Sequence, residues 1–517
     1  MLVLLAAVPP SASVSAQNYR QFQRGMTYAS WWHDTYATEE SDRSLEALAD
    51  TGTNWVALIV TWYQNTYRDT SMISDLSKTP TDDSVTHAIE TIHRLGMKVM
   101  LKPHIDLFDG HWRGEIEPRD VKAWFDSYRA FIVHYAELAQ AGDVEMFCVG
   151  TELNSMTLER YAAYWLPIIE DVRRVFWREV TYAANWWPNS AWQDFGFLKQ
   201  LDYVGIDAYF PLTDKSDPTV SELEKPWQRW ISQIEAWQSV TKARIILTEI
   251  GYRDLKGANI RPWDWQAEGS EDQQEQADCY EATLAILWGK PWLQGIFWWA
   301  WTPYQQSRDY TPWGKLAEGV LRVWYAKPYV PQGTPAEAVS ALVAIQTAEN
   351  ATTTAIREGR TRGLDQAKDL LSQAVNAYNK GDFVHSESLA KNAVSVADTS
   401  VSQKMYDEAA SVLNYALQKL DSLRNATFQS TDSTQLKQQA EAEYTSALEA
   451  LNNNEFELAK AHANNATALV DKAFSTEHKY QTQQALLREQ KQYEIAIAAL
   501  AGLAVIALFA VAARRRK

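Results

Sequence analysis

Residues 145–154 read Glu-Met-Phe-Cys-Val-Gly-Thr-Glu-Leu-Asn. An apolar run this short, bounded by polar residues, fits a strand covered on both faces. It ends on Glu152, and a charged side chain directly after such a run belongs at the rim of a sheet, not in its core. Segments with apolar residues at helical spacing lie on either side, at 119–140 and 158–176. A strand between two amphipathic helices is the unit of a parallel sheet. The same alternation continues outward in both directions. Candidate strands fall at 24–31, 54–62, 97–104, 145–152, 179–185, 202–209, 244–249 and 295–301, with further helical segments at 41–50, 84–95, 222–240 and 271–288. Eight strands with right-handed crossovers within about 300 residues are the inventory of a (β/α)8 TIM barrel. A doubly wound open sheet would place a Gly-rich turn after the first strand, and none follows 24–31.

The composition changes near residue 331. All 23 tryptophans lie at or before Trp324, and Pro331-Gln-Gly-Thr-Pro335 reads as a turn or linker. Beyond it, Ala, Glu, Gln, Asn and Lys dominate, with apolar residues at helical spacing such as Ala409, Val412, Leu413, Ala416, Leu420 and Leu423. This part repeats itself. Ala374-Val-Asn-Ala-Tyr-Asn-Lys-Gly-Asp-Phe383 aligns with Ala447-Leu-Glu-Ala-Leu-Asn-Asn-Asn-Glu-Phe456, and Ala390 and Ala393 with Ala463 and Ala466. Each unit reads as helix, turn and helix, with small alanines where helices meet. The expectation is an all-α helical repeat stalk over 331–490, with a peptide-binding repeat as the alternative. Sequons for N-glycosylation at Asn350, Asn425 and Asn465 all fall in this part.

The two ends point to a membrane. The apolar start and the small residues before Ala16 fit a signal peptide at 1–16, although its basic leader is missing. Residues 495–513 carry no charge, and as a helix rising about 1.5 Å per residue they approach the thickness of a hydrocarbon core of about 30 Å. Arg514-Arg-Arg-Lys517 follows at once. We expect a transmembrane helix at 494–513 and a basic cytoplasmic tail at 514–517, with the barrel domain, 17–330, outside a cell membrane crossed once.

The net charge of −16, with no basic patch in the body of the chain, argues against nucleic acid as a partner. Cys148 and Cys279 are too few and wrongly spaced for a metal site; Cys148 reads as a buried small hydrophobe, and a bridge between the two stays open. His33, His104 and His111 lack a ligand arrangement, so no metal or other cofactor is expected.

In a TIM barrel, chemistry sits at the C-terminal ends of the strands. Here those ends carry Trp31, Lys102, His104, Glu152, Asn185, Trp186, Asp207, Tyr209, Glu249, Trp299 and Trp301. Aromatic faces pack on pyranose rings while amides and carboxylates bind hydroxyls, so this rim suits a sugar. Glu152 and Glu249, ending the fourth and seventh strands, face each other across part of the barrel. Glycoside hydrolysis needs two such carboxyl groups, one protonated and one ionised. Lys102 and His104 read as contacts to sugar hydroxyls or as supports behind them. Asp207 reads as a substrate contact or a bond to a neighbouring strand. Trp31 and Trp186 divide between subsites and packing, as do Trp32 and Trp187.

Arg24-Gly-Met-Thr-Tyr28, Leu101-Lys-Pro-His104, Gly150-Thr-Glu-Leu153, Asp202-Tyr-Val-Gly-Ile-Asp-Ala-Tyr-Phe-Pro211, Thr248-Glu-Ile-Gly-Tyr252, Trp298-Trp-Ala-Trp301 and Asp309-Tyr-Thr-Pro-Trp-Gly-Lys315 resemble clan A retaining glycoside hydrolases, and among them family 113, which includes β-mannanases. The resemblance implies Glu152 as acid/base and Glu249 as nucleophile. It also implies Tyr209 bonded to Glu249 and Trp299 or Trp301 as the platform beneath the sugar. Where many clan members carry Asn before the acid/base, this chain has Thr151, which leaves the 2-hydroxyl partner unassigned between Asn154 and Asn185. The expected function is retaining hydrolysis of a β-linked polysaccharide or oligosaccharide, β-1,4-mannan by resemblance, at the outer cell surface. A non-catalytic carbohydrate-binding or adhesion protein on a membrane-anchored stalk is the alternative.

Overall fold

The computed structural model describes residues 18–186 and 196–514. The expected signal peptide, Trp187 and the last three residues of the basic tail lie outside the described residues. Eight parallel strands, β1 (Gln23–Tyr28), β2 (Trp55–Gln64), β3 (Lys98–Leu107), β4 (Met146–Thr151), β5 (Glu179–Asn185), β6 (Val204–Asp207), β7 (Ile245–Ile250) and β8 (Leu293–Trp301), close into a barrel in sequence order. The crossover helices are α1 (Glu39–Ala49), α2 (Asp82–Arg94), α3 (Val121–Ala141), α4 (Ala162–Val175), α5 (Val220–Thr241), α6 (Gln273–Leu287) and α7 (Leu316–Tyr325). Side-chain oxygens of Thr38, Thr81, Asp120, Thr219 and Asp272 accept from the first turns of α1, α2, α3, α5 and α6, satisfying N–H groups that a helix start leaves open. Helix α7 closes the last repeat and was not anticipated. β2 and β3 run longer than expected because they stay paired as far as Gln64 and Leu107.

Strand side chains alternate between two faces. Trp55, Ala57, Met100, Met146, Cys148, Ala183, Tyr203, Ile246 and Phe297 fill the inside of the barrel. Their intervening neighbours, such as Val56, Leu58, Val99, Phe147, Val180 and Ile245, pack outward among the helices. The two layers leave no room for error where strands approach closely: a Cβ on Gly25 would lie 2.4 Å from the Phe297 ring. Cys148 and Cys279 are both buried and unbridged.

The tail is two successive sets of three helices. α8 (Ala336–Arg357), α9 (Leu364–Asn379) and α10 (Phe383–Thr399) share an alanine-rich core that includes Ala341, Ala374, Ala390 and Ala393. This set forms one compact unit with the barrel. On the barrel's lower side, Arg24 donates to Asn350 at 2.9 Å and the Tyr19 hydroxyl to Glu349 at 2.7 Å. The second unit holds α11 (Gln403–Arg424), α12 (Thr431–Asn452) and α13 (Phe456–Arg514), packed through Ala409, Ala447 and Ala463 among others. The turns of the repeat fall between α9 and α10 and between α12 and α13, as the alignment requires. α13 runs on through the apolar stretch and is long and apolar enough to cross a membrane.

Candidate active site

Strand alternation carries the barrel's inner face up to its C-terminal rim. From Met100, two and four steps lead to Lys102 and His104, and from Ala183 two steps lead to Asn185. The two glutamates need more than alternation. The pairing of β4 with β5 shifts between Cys148 and Thr151, and Glu152 then adopts φ 52°, a left-handed conformation that costs a non-glycine residue about 1–3 kcal/mol. The pairing of β6 with β7 shifts between Ile206 and Asp207, which sets Glu249 opposite Asp207. Both carboxylates are thus re-aimed inward by irregularities of the bulge type at the strand ends.

Glu249 is 4% exposed and held from both sides. Its Oε2 accepts from the Tyr209 hydroxyl at 2.8 Å, and its Oε1 accepts from the Lys102 ammonium. His104 Nε2 lies 3.7 Å from the same Oε1. Lys102 also reaches Asp207 Oδ1 at 3.3 Å, and Thr248 donates to that oxygen at 2.7 Å. Burial opposes the Lys102 charge, but Asp207 and then Glu249 hold the ammonium above its ordinary value. Burial, and after it the charge of Glu249, pushes Asp207 well above the usual carboxylate range while Lys102 pulls it back. Burial, with Arg113 and Lys102 adding to it, drives His104 well below its ordinary value, so the ring is neutral. Burial and Glu249 raise the Tyr209 phenol, which remains a donor.

Glu152 sits in a different setting. Asn185 donates to its Oε1; Trp112 Nε1 at 3.2 Å and Arg113 at 3.3 Å donate to its Oε2. Arg113 is itself tied to Asp106 and to the Ile105 carbonyl. Burial raises the Glu152 carboxyl above its ordinary value; Arg113 opposes this, and the charge of Glu249 adds to it.

Aromatic side chains surround the pair. Trp299 is partly exposed, parallel to His104 at 6.1 Å between ring centroids, and edge-on to Trp31 at 6.3 Å. Trp186 packs against Trp230 and Trp263. Two expectations need correction. Trp301 is fully buried, stacks on Trp313 and donates to Ser44, so it has no face free for a sugar; of the two candidates, only Trp299 keeps exposed surface. Lys102 and Asp207 are likewise fully buried, and their polar atoms engage Glu249 and Thr248, not a substrate hydroxyl. Of the two asparagines left open by Thr151, Asn185 donates to Glu152, the acid/base candidate, and Asn154 opens a short helical turn. Trp112, Arg113 and Asp106 were not foreseen. The first two lie in the segment following β3, where no periodicity marks them, and only the aromatic–basic pair itself was a signal.

The profile of Glycoside Hydrolase Family 113 matches residues 26–313. A GH113 β-1,4-mannanase solved as a complex is similar at 27% identity and a TM-score of 0.54, over 59% of this chain and 99% of that one. The GH113 β-mannanase of Alicyclobacillus acidocaldarius, solved with ManMIm, is similar at 29% identity and a TM-score of 0.54, over 59% of this chain and 98% of that one. A search of curated proteins finds no significant match.

Proposed function

The chain belongs to glycoside hydrolase family 113, and from that premise we propose that it is a retaining β-glycanase acting on β-1,4-mannan from the outer face of a cell membrane. The observation that carries the reading is the unequal treatment of two rim carboxyls. Glu152 is raised by burial and suited to hold a proton, while Glu249 accepts from both a buried ammonium and a phenol. Retaining hydrolysis needs that inequality. Glu152 gives its proton to the leaving oxygen as Glu249 attacks the anomeric carbon and the glycosidic bond breaks. Water then attacks the glycosyl ester, giving its proton to Glu152 and freeing Glu249. Asn185 and Arg113 hold Glu152 in line, and Trp299 offers a flat face to the sugar ring. Mannan is preferred because the similar solved structures are named as mannanases.

The membrane part of the proposal rests on α13. Residues 491–513 are exposed along the helix, and a run of cations follows. α8–α10 belong to the barrel unit, so the spacer role falls to the second unit.

The test is release of reducing sugar by the full chain in detergent from mannan, glucan, xylan and galactan, beside Glu152→Gln and Glu249→Gln. Release from mannan by the wild type alone is expected. Release from another polymer would rename the substrate, and release that survives in Glu249→Gln would overturn the assignment.

A further inference from the structure

Lys102 is a full cation with no exposed surface, lying inside the barrel between the carboxyl groups of Asp207 and Glu249 on adjacent strands. A buried charge persists only with a partner, and removing one member of such a pair is far more damaging than removing both. The reading above, on which this inference rests, makes Glu249 lose its charge during every turnover, because a glycosyl ester is neutral. At that stage Lys102 would stand alone unless another anion were in contact. Asp207 is in contact, at 3.3 Å, and Thr248 anchors it from the side; the Glu249 charge that helps keep the Asp207 carboxyl protonated is gone once Glu249 is esterified, leaving Lys102 to hold Asp207 ionised. Around this group lie neutral His104 on β3, Cys148 and Glu152 on and after β4, the Tyr209 phenol after β6, and Arg113, which is already committed to Asp106 and Glu152. None of them is an anion in contact with the Lys102 ammonium.

We propose that Lys102 and Asp207 are a built-in counter-charge pair: Lys102 neutralises Glu249 while that carboxylate is free and pairs with Asp207 while Glu249 is esterified. Neither touches the sugar, and both act through Glu249 as positioning residues. The Asp207 carboxylate thus spares the intermediate a lone buried cation, and its removal penalises the glycosyl-enzyme more than the free enzyme. The pair also explains why two residues at sugar-facing strand ends have no surface.

The test is a cycle of full-chain variants followed by thermal melting of the barrel, which needs no substrate. Glu249→Gln imitates the uncharged nucleophile and leaves Lys102 with Asp207; Asp207→Asn leaves it with Glu249. Each single variant should melt close to wild type. The double variant strands the cation and should lose about 10 °C beyond the sum of the two. Adding Lys102→Met to the double variant should restore most of that loss, which also covers a double variant too unstable to purify. An additive double variant, or no rescue by Lys102→Met, overturns the proposal. In parallel, Asp207→Asn assayed on an aryl β-mannoside should lose at least about tenfold in kcat with little change in KM. A loss confined to KM would also overturn it. A wild type that hydrolyses nothing would instead sink the hydrolase reading, and the melting cycle reports on the ion pair regardless.

Discussion

Glu152 accepts hydrogen bonds from an arginine, an indole and an amide, whereas Glu249 accepts from a lysine and a phenol. If Glu152 is the acid, Glu152→Gln should cut kcat/KM on mannan about 10²- to 10⁴-fold. The loss should be far smaller on a dinitrophenyl glycoside, whose leaving oxygen needs no proton. Equal losses on the two substrates would refute the role. A raised carboxyl favours its protonated form, so its contribution is present at low pH and fades as pH rises through the raised value; activity that depends on that proton fades in the same direction. Arg113 opposes the raise, so Arg113→Met should move the alkaline limb of the kcat/KM profile to higher pH. An alkaline limb that stays in place would show that Arg113 does not act on Glu152. The two carboxylates could be read from sequence because each ends an apolar strand run, whereas the bond from Tyr209 to Glu249 was implied by the family resemblance alone. The depth of Lys102, Asp207 and Trp301 could not, since a strand end can face sugar or core and only the surrounding strands decide which.

The strands themselves were legible to within about three residues at either end, because eight apolar runs alternate with amphipathic segments and nothing else in the chain has that pattern. What sequence could not supply were the register shifts before Glu152 and Glu249. A bulge is a relation between two strands and leaves no trace in either one alone. The helical repeat was legible for the opposite reason: its alanines are where helices touch, and Ala390, Ala393, Ala463 and Ala466 are all fully buried. Ala463→Leu should therefore overpack the junction of α11, α12 and α13 and destabilise that unit by about 1–3 kcal/mol. Calorimetry should show an earlier melting transition for the second unit, with sugar release by the barrel unchanged. A wild-type melting profile would mean that the helices have room to spare there.

The chain joins a barrel whose rim is built for sugar to a final helix that has no buried partner over its apolar end. Every side chain from 491 to 513 is exposed, among them Ile495, Ile497, Leu500, Leu503, Ile506, Leu508 and Phe509. A soluble protein rarely leaves so long an apolar surface open, whereas a lipid bilayer covers it and a helix satisfies its own backbone there. Neither unit depends on that segment for its core, since α13 has already packed against α11 and α12 through Ala459, Ala463, Val470 and Ala473 before the apolar stretch begins. Ending the chain after Glu494 should accordingly leave both units folded and move the protein from the membrane pellet to the supernatant. Its rate of mannan hydrolysis per molecule in solution should match that of the detergent-solubilised full chain. The full chain should resist extraction by alkaline carbonate, which strips proteins that merely lie on a membrane. Full-length protein that washes off, or a shortened chain that still pellets with lipid, would show that something other than α13 holds it there.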